Sequence, residues 1–149
     1  MNSFILKGNI CYSISKTELK TVSGYIVCMD GKCAGVFEKF PEKYKDLEFR
    51  DLKDKLIIPG MVDLHIHAPQ YAFRGMGMDY ELIEWLNTQT FPEEAKYKDE
   101  DYAKKAYTIF ADNMKNSATT RACIFATRHR NATEILMDLM EETGLVTYV

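Results

Sequence analysis

The segment MVDLHIH, residues 61–67, constrains the fold more than any other stretch, because its polar and apolar residues alternate. Side chains point in turn to the two faces of a β-strand, so Asp63, His65 and His67 are expected on one face. The opposite face is apolar and consists of Val62, Leu64 and Ile66. In a parallel barrel, such a strand packs its apolar face against helices and turns its polar face toward a site at its carboxyl end.

Two regions of different character lie on either side of this strand. Residues 1–55 predict a small β unit of short antiparallel strands, with Asp30-Gly31 as a two-residue hairpin turn. From Leu56 onward, the pattern predicts strand, helices, strand, helix and strand in that order. We therefore predict an α/β chain with a β unit over residues 1–55 and an alternating β/α array over residues 56–149.

The periodicity of apolar residues predicts the helices of the array. Residues 99–116 carry apolar side chains at helical spacing, namely Tyr102, Ala106, Ile109, Phe110 and Met114. Residues 119–127 predict a buried strand, and residues 145–149 begin another. Between them, Asn131 is expected to cap a helix that ends at Gly144. The buried face of that helix is expected to contain Ile135, Leu136, Leu139 and Met140.

Charge and hydropathy exclude two classes of partner. Nineteen basic and 22 acidic residues give a net charge of -3, so no broad positive field exists to bind nucleic acid. The amino terminus lacks the apolar core of a signal peptide, and Pro59 and Gly60 interrupt the apolar run near residue 57. We expect a cytoplasmic protein that binds neither nucleic acid nor membrane.

The two histidines at the end of the strand are candidate metal ligands. Their α-carbons are expected about 6.6 Å apart, and two imidazoles leaning together from that separation can bind one metal ion at about 2.0–2.1 Å. Asp63 is expected either to orient a histidine by a hydrogen bond or to make an ordinary polar contact at the strand end. The alternative for His65 and His67 is a role as hydrogen-bonding loop residues.

Several motifs of the chain resemble those of a known family. PGMVDLHIH, residues 59–67, resembles the Pro-Gly-x-x-Asp-x-His-x-His signature of the amidohydrolase superfamily. Within that superfamily, HIHAPQY, LIEWLNTQTFPEE and FATRH are similar to segments of guanine deaminases. The resemblance runs from the hairpin near Asp30 to Val149 and covers roughly the first third of a family member, given a barrel of about 250 residues plus a sandwich.

This resemblance implies a fold and a reaction. The fold would be a β-sandwich segment over residues 1–55 and the truncated first part of a (β/α)8 barrel over residues 56–149. The reaction would be hydrolysis of guanine to xanthine and ammonia by a water activated at zinc, with iron as the alternative metal and with His65 and His67 as two ligands. The remaining ligands and the proton shuttle come from later strands in the family. The chain alone is therefore expected to be inactive.

The resemblance also assigns residues that could contact the substrate. Gln70 matches a family position that contacts guanine, and its amide offers a donor and an acceptor side by side. Trp85 and Leu86 are expected either to form an apolar wall beside a planar base or to belong to the core. His129 is expected to have a capping or loop role, since two flanking arginines would repel a cation.

Two alternatives to a guanine deaminase remain open. A related amidohydrolase could act on another heterocycle, such as an oxidised purine, a triazine or a pyrimidine. Alternatively, the chain could be a catalytically incomplete fragment that binds metal weakly or needs a complementing C-terminal portion. A homo-oligomer is also compatible with the sequence. The family usually has glycine where this chain has Ala118, which would strain the turn if that position required positive φ.

Overall fold

The computed structural model describes residues 3–149, which divide into two compact units after Pro59. The first unit is a four-stranded sheet in the order β3-β2-β1-β4. Its strands are Phe4–Ser13 (β1), Leu19–Met29 (β2), Lys32–Phe37 (β3) and Glu48–Ile57 (β4), with a short 3-10 helix at Glu42–Tyr44.

The pairing within this sheet differs in part from the expected antiparallel arrangement. Strand β1 is antiparallel to β2, and β2 is antiparallel to β3, but β4 is parallel to β1. The reason is the connection after β3, which returns the chain to the starting end of β1 instead of turning back as a hairpin. The hairpin at Asp30-Gly31 is confirmed, because both residues have the positive φ that a type I′ turn requires, 49° and 75°.

The second unit is a mixed α/β fold around a parallel sheet in the order β5-β6-β7. Its strands are Met61–His67 (β5), Thr119–Phe125 (β6) and Val146–Tyr148 (β7). Between β5 and β6 lie a 3-10 helix Ala68–Phe73, helix α1 Leu82–Trp85, a π-helical turn Leu86–Thr90, helix α2 Phe91–Lys96 and helix α3 Glu100–Lys115. Helix α4, Arg130–Thr143, connects β6 to β7. The predicted alternation of strands and helices is confirmed.

Helix α3 buries a face that differs in part from the predicted stripe. The buried residues are Ala103, Tyr107, Phe110, Ala111 and Met114. The predicted stripe is confirmed for Phe110 and Met114, and Tyr102 and Ala106 are partly buried against the same core. It is wrong for Ile109, which is 49% exposed. The alanines have small side chains that allow close packing, and the Tyr107 ring is fully buried in the same core.

Helix α4 begins earlier than predicted and ends as predicted. His129 occupies the N-cap position, so the expectation that Asn131 caps the helix is wrong. Asn131 lies in the first turn, where its amide donates to Glu100 at 2.5 Å. At the other end, Gly144 adopts the left-handed conformation with φ of 75°. The fully buried positions are Ala132, Leu136 and Met140, with Ile135 and Leu139 partly buried.

The start of β5 is tightly packed against β6. The Met61 N–H donates to the Ala118 carbonyl at 2.8 Å, and a Cβ on Gly60 would lie 2.1 Å from Thr120 Oγ1. Glycine is therefore required at position 60. Within residues 3–149, the non-glycine residues with positive φ are Asp30 and Lys53, so Ala118 does not strain its turn.

The apolar face of β5 is less covered than predicted. Ile66 packs against the core, but Val62 and Leu64 are 54% and 74% exposed. Strand β5 lies at the edge of its three-stranded sheet, and its pairing with β6 is irregular between Asp63 and Ile66. In the part of the chain that the structure describes, none of the helices has the length and apolar character needed to cross a membrane.

Candidate metal centre

Strand β5 brings His65 and His67 together at its carboxyl end. Their Nε2 atoms are 3.0 Å apart, and the ring centroids are 5.0 Å apart at an angle of 52°. Two ligands bound at 2.0–2.1 Å to a tetrahedral zinc lie about 3.3 Å from each other. The pair therefore has the separation that two adjacent positions of such a site require.

Phe125 supports both imidazoles from the end of the neighbouring strand. Its ring stacks on His67 with centroids 4.8 Å apart at 13°, and it contacts His65 at 4.7 Å. Sequence reasoning did not identify this residue as part of the site. The available signal was that the ends of adjacent parallel strands meet at one edge of the sheet, which places the last residue of β6 beside the last residue of β5.

Asp63 acts on the histidine strand through the backbone. Its Oδ1 accepts a hydrogen bond from the His65 backbone N–H at 3.0 Å. The carboxylate therefore stabilises the irregular stretch of β5 near His65, and among the described contacts Asp63 accepts no hydrogen bond from either imidazole.

Burial lowers the pKa of His67, and the neighbouring His65 lowers it further, while Glu94 opposes the shift. A lowered pKa keeps the imidazole neutral at a more acidic pH than usual. Neutral imidazole is the form that binds a metal ion. The electrostatic environment of His67 is thus suited to metal binding.

The described residues supply two ligands of a metal site, not a complete set. Within residues 3–149, no group of three or more His, Cys, Asp or Glu side chains is arranged to hold a metal ion. Because catalytic zinc sites use three protein ligands, the two imidazoles fit such a site only as a part of it.

A cleft of about 410 Å³ opens beside the imidazole pair. Gln70 and Trp85 line it together with both histidines, whereas Leu86 is not among its lining residues. Further side chains come from the loop after β5, namely Tyr71, Phe73, Arg74, Met76 and Met78. Four of the predicted site residues, His65, His67, Gln70 and Trp85, therefore share one cleft, and most of its surface is apolar or aromatic.

Trp85 lines the cleft and also contacts the loop that follows β5. Its indole N–H donates to the Met76 carbonyl at 3.3 Å, and its ring lies 5.6 Å from the ring of Phe73. The indole therefore holds the far end of the loop that borders the cleft. Leu86 follows it, partly buried, at the start of the π-helical turn.

His129 lines a different cavity from the cleft beside His65 and His67. It lines a cavity of about 270 Å³ together with Glu94, Thr127 and Arg128. Its backbone N–H donates to Thr127 Oγ1 at 3.0 Å, but its side chain makes no capping hydrogen bond. His129 thus occupies the capping position that was expected of it, although the imidazole itself does not cap.

Comparison with known proteins places this geometry in a family. Residues 56–148 match the amidohydrolase family. Guanine deaminase of Dictyostelium discoideum is 30% identical over 165 residues, which cover 97% of this chain and 36% of that protein. Guanine deaminase of Mus musculus is 40% identical over 107 residues, which cover 71% of this chain and 24% of that protein. The chain spans about a third or less of the length of these relatives.

A solved structure is similar over nearly the whole chain. The crystal structure of guanine deaminase from C. acetobutylicum, with bound guanine in the active site, has a TM-score of 0.92 and 43% sequence identity. The match covers 99% of this chain and 36% of that chain. The resemblance to guanine deaminases that the motifs indicated is confirmed. Since the matched range includes the histidine strand and most of the chain, this protein belongs to the amidohydrolase family.

Proposed function

We propose that the chain forms part of a zinc-dependent guanine deaminase, which hydrolyses guanine to xanthine and ammonia. The observation that carries the proposal is the convergence of His65 and His67 beside a cleft that also contains Gln70. The similar C. acetobutylicum enzyme, solved with guanine in its active site, supports guanine as the substrate.

His65 and His67 would hold the metal through their facing Nε2 atoms. When bound, zinc would act as a Lewis acid and lower the pKa of a coordinated water to about 7. Iron also accepts imidazole ligands and is the alternative metal. Phe125 would keep both rings in place, because it contacts each of them within 5 Å.

Gln70 would recognise the edge of the purine. Its amide offers one donor group and one acceptor group in a plane, which suits the complementary edge of guanine. The aromatic rings of Phe73 and Trp85 would provide an apolar wall of the cleft. Leu86 is partly buried and lies outside the cleft lining, so we assign it to packing and not to contact with the base.

The architecture that suits this function is a partial (β/α)8 barrel preceded by a β-sandwich segment. Two observations support it: β5, β6 and β7 are parallel neighbours in chain order, and helices connect them. The four-stranded sheet before Pro59 would be the sandwich segment. The further ligands and the proton shuttle would come from polypeptide that completes the barrel.

Ammonia release from guanine, measured with zinc content on the same sample, tests the proposal. The 149-residue chain is assayed alone and with a polypeptide that carries the remaining barrel strands of a related guanine deaminase. We expect activity only in the mixture, and loss of that activity when His65 and His67 are both replaced by Asn.

Other outcomes would separate the alternatives. Turnover of a different heterocycle with none of guanine would identify a related amidohydrolase with another substrate. Zinc binding by a mixture that turns over no heterocycle would favour an incomplete fragment with a binding role. Activity of the chain alone would contradict the view that its site needs further ligands.

A further inference from the structure

The loop that follows the histidine strand is held by a buried tyrosine. Tyr97, the C-cap residue that follows α2, donates a hydrogen bond from its hydroxyl to the Pro69 carbonyl at 3.3 Å. Tyr97 is 1% exposed, and both Pro69 and the preceding Ala68 are buried. Water is therefore excluded from this hydrogen bond, and no solvent molecule can easily replace it.

The position of the Tyr97 ring is itself tightly determined. The ring packs edge-on against Tyr102, with ring centroids 5.3 Å apart. It also packs against Tyr107 at a tilt, with ring centroids 4.7 Å apart. The Tyr102 hydroxyl in turn contacts Glu93, which forms an ion pair with Lys96 at 2.6 Å. Two rings of α3 thus pack against Tyr97, and side chains of α2 hold one of those two rings.

Burial raises the pKa of Tyr97 well above its usual value, with smaller contributions from its tyrosine and glutamate neighbours. The hydroxyl therefore keeps its proton at neutral and moderately alkaline pH. Tyr97 can act as a permanent donor to the carbonyl of Pro69.

Pro69 lies between the two groups on which the proposed chemistry depends. His67 precedes it by two residues, and Gln70 follows it directly. Further along, the Trp85 indole holds the Met76 carbonyl, with Gly75 and Gly77 at positive φ on either side of it. Two of the described hydrogen bonds therefore attach loop carbonyls to the helical part, and of these two only the Tyr97 bond lies beside His67 and Gln70. A ring contact between Tyr71 and Phe110 at 5.4 Å adds packing after Gln70.

We propose that Tyr97 is a positioning residue, whose hydroxyl holds the Pro69 carbonyl and so sets the location of Gln70 relative to the imidazole of His67. The inference rests on the proposed function in one respect, namely that Gln70 contacts the substrate. Shifts of about 1 Å in a positioning group are enough to weaken binding or catalysis substantially. Loss of one hydroxyl should therefore affect guanine recognition although Tyr97 does not line the cleft.

The test compares Tyr97→Phe with Tyr107→Phe. Each variant removes one hydroxyl from a fully buried ring of the same cluster. The Tyr107 hydroxyl is buried and makes no hydrogen bond to the loop among the described residues. Tyr107→Phe is thus a matched control that changes the cluster without releasing the loop.

Two readouts are measured for both variants. The first is hydrogen exchange of the backbone amides of residues 70–78 in the 149-residue chain, together with the NMR signals of the His67 and His129 imidazoles. The second is the kinetics of guanine hydrolysis in the completed enzyme. If a variant unfolds more easily, both readouts are taken under conditions where all proteins are fully folded.

We expect Tyr97→Phe to speed loop exchange, to shift the His67 signal but not that of His129, and to raise KM about threefold to tenfold with a smaller change in kcat. Tyr107→Phe should match the unmodified protein. Unchanged loop exchange and KM in Tyr97→Phe, or equal effects of both variants, would overturn the inference. Faster loop exchange without guanine turnover in any form of the protein would uphold the positioning of the loop and refute the proposed function instead.

Discussion

His67 and His129 are chemically identical residues in different surroundings, and the difference predicts which one binds metal. His67 has the Nε2 atom of a second imidazole 3.0 Å away, whereas His129 lies between two arginines. We expect His67→Asn to weaken zinc binding by more than the 10- to 100-fold that is typical of losing a group outside the ligand set. His129→Asn should leave the affinity unchanged. Calorimetric titration of zinc into the unmodified protein and into each variant measures the zinc affinities. An equal loss of affinity in the two variants would contradict the assignment.

Tyr102 predicts how stability depends on alkaline pH. Burial, followed by the hydrogen bond to Glu93, raises the pKa of Tyr102 from 10.0 to about 12. Between these values the folded chain keeps a proton that the unfolded chain has lost. Its contribution to the free energy of unfolding is therefore complete below pH 10 and decreases as the pH rises toward 12.

Replacing Tyr102 with Phe removes this proton, so the decline in stability above pH 10 should become shallower. Urea unfolding of both proteins at pH values between about 8 and 12 measures the slopes. The two slopes should coincide near neutral pH, which serves as the internal control. Parallel profiles up to pH 12 would show that Tyr102 titrates in the same way in the folded and unfolded chains.

Individual residues of the candidate site were predictable only where a local pattern marks them. The alternation in β5 places His65 and His67 on one face, and the structure brings their rings together. Phe125 was not predictable in this way, because its contact with both rings depends on the register between β5 and β6. Pairing partners of parallel strands lie far apart in sequence, so no local pattern records them.

Among the elements, α4 offers a direct comparison of a buried and an exposed residue of the same type. Met140 is 0% exposed and Met137 is 50% exposed. Met140→Ala is expected to lower the free energy of unfolding by about 2–5 kcal/mol, because it leaves a cavity in the core. Met137→Ala should change it by less than about 0.5 kcal/mol. Chemical unfolding of both variants gives the two values, and similar losses would show that the helix packs through a different face.

The same helices show which features of an element the sequence determines. The end of α4 at Gly144 was predictable, because glycine at a left-handed position is a local requirement. The face that α3 buries was not predictable. Ile109 and Tyr107 are both compatible with a buried position, and the tertiary packing around the helix decides that only Tyr107 is buried. Apolar periodicity locates a helix well but leaves its rotation uncertain by about one residue position, which tertiary packing decides.

At the scale of the whole molecule, the three-stranded parallel sheet leaves large apolar side chains uncovered. These are Val62 and Leu64 on β5, Phe125 on β6, and Val146 and Tyr148 on β7. Clusters of exposed apolar groups beside an open sheet edge promote association between chains. The alternation of strands and helices was visible in the sequence, but the extent of this uncovered surface was not.

We expect the 149-residue chain to self-associate as its concentration rises, and Leu64→Lys to reduce that association. Leu64 is 74% exposed and is therefore a substitution site that disturbs little internal packing. Ile109→Lys is the control, because Ile109 is also exposed but lies on α3, away from the sheet edge. Sedimentation velocity over a range of concentrations measures the effect. A monomer at all concentrations, or equal effects of both substitutions, would contradict a role for the uncovered sheet.

The parallel pairing of β5 with β6 also has a consequence for the time at which the site forms during synthesis. Met61 pairs with Thr119, about 58 residues later, and β5 pairs with no other strand in residues 3–149. At a translation rate of about 5–20 residues per second, the ribosome needs about 3–12 s to make the intervening chain. His65 and His67 therefore emerge well before Phe125, the residue that holds both rings in place. The histidine pair of the proposed metal site can therefore become ordered only after the synthesis of β6.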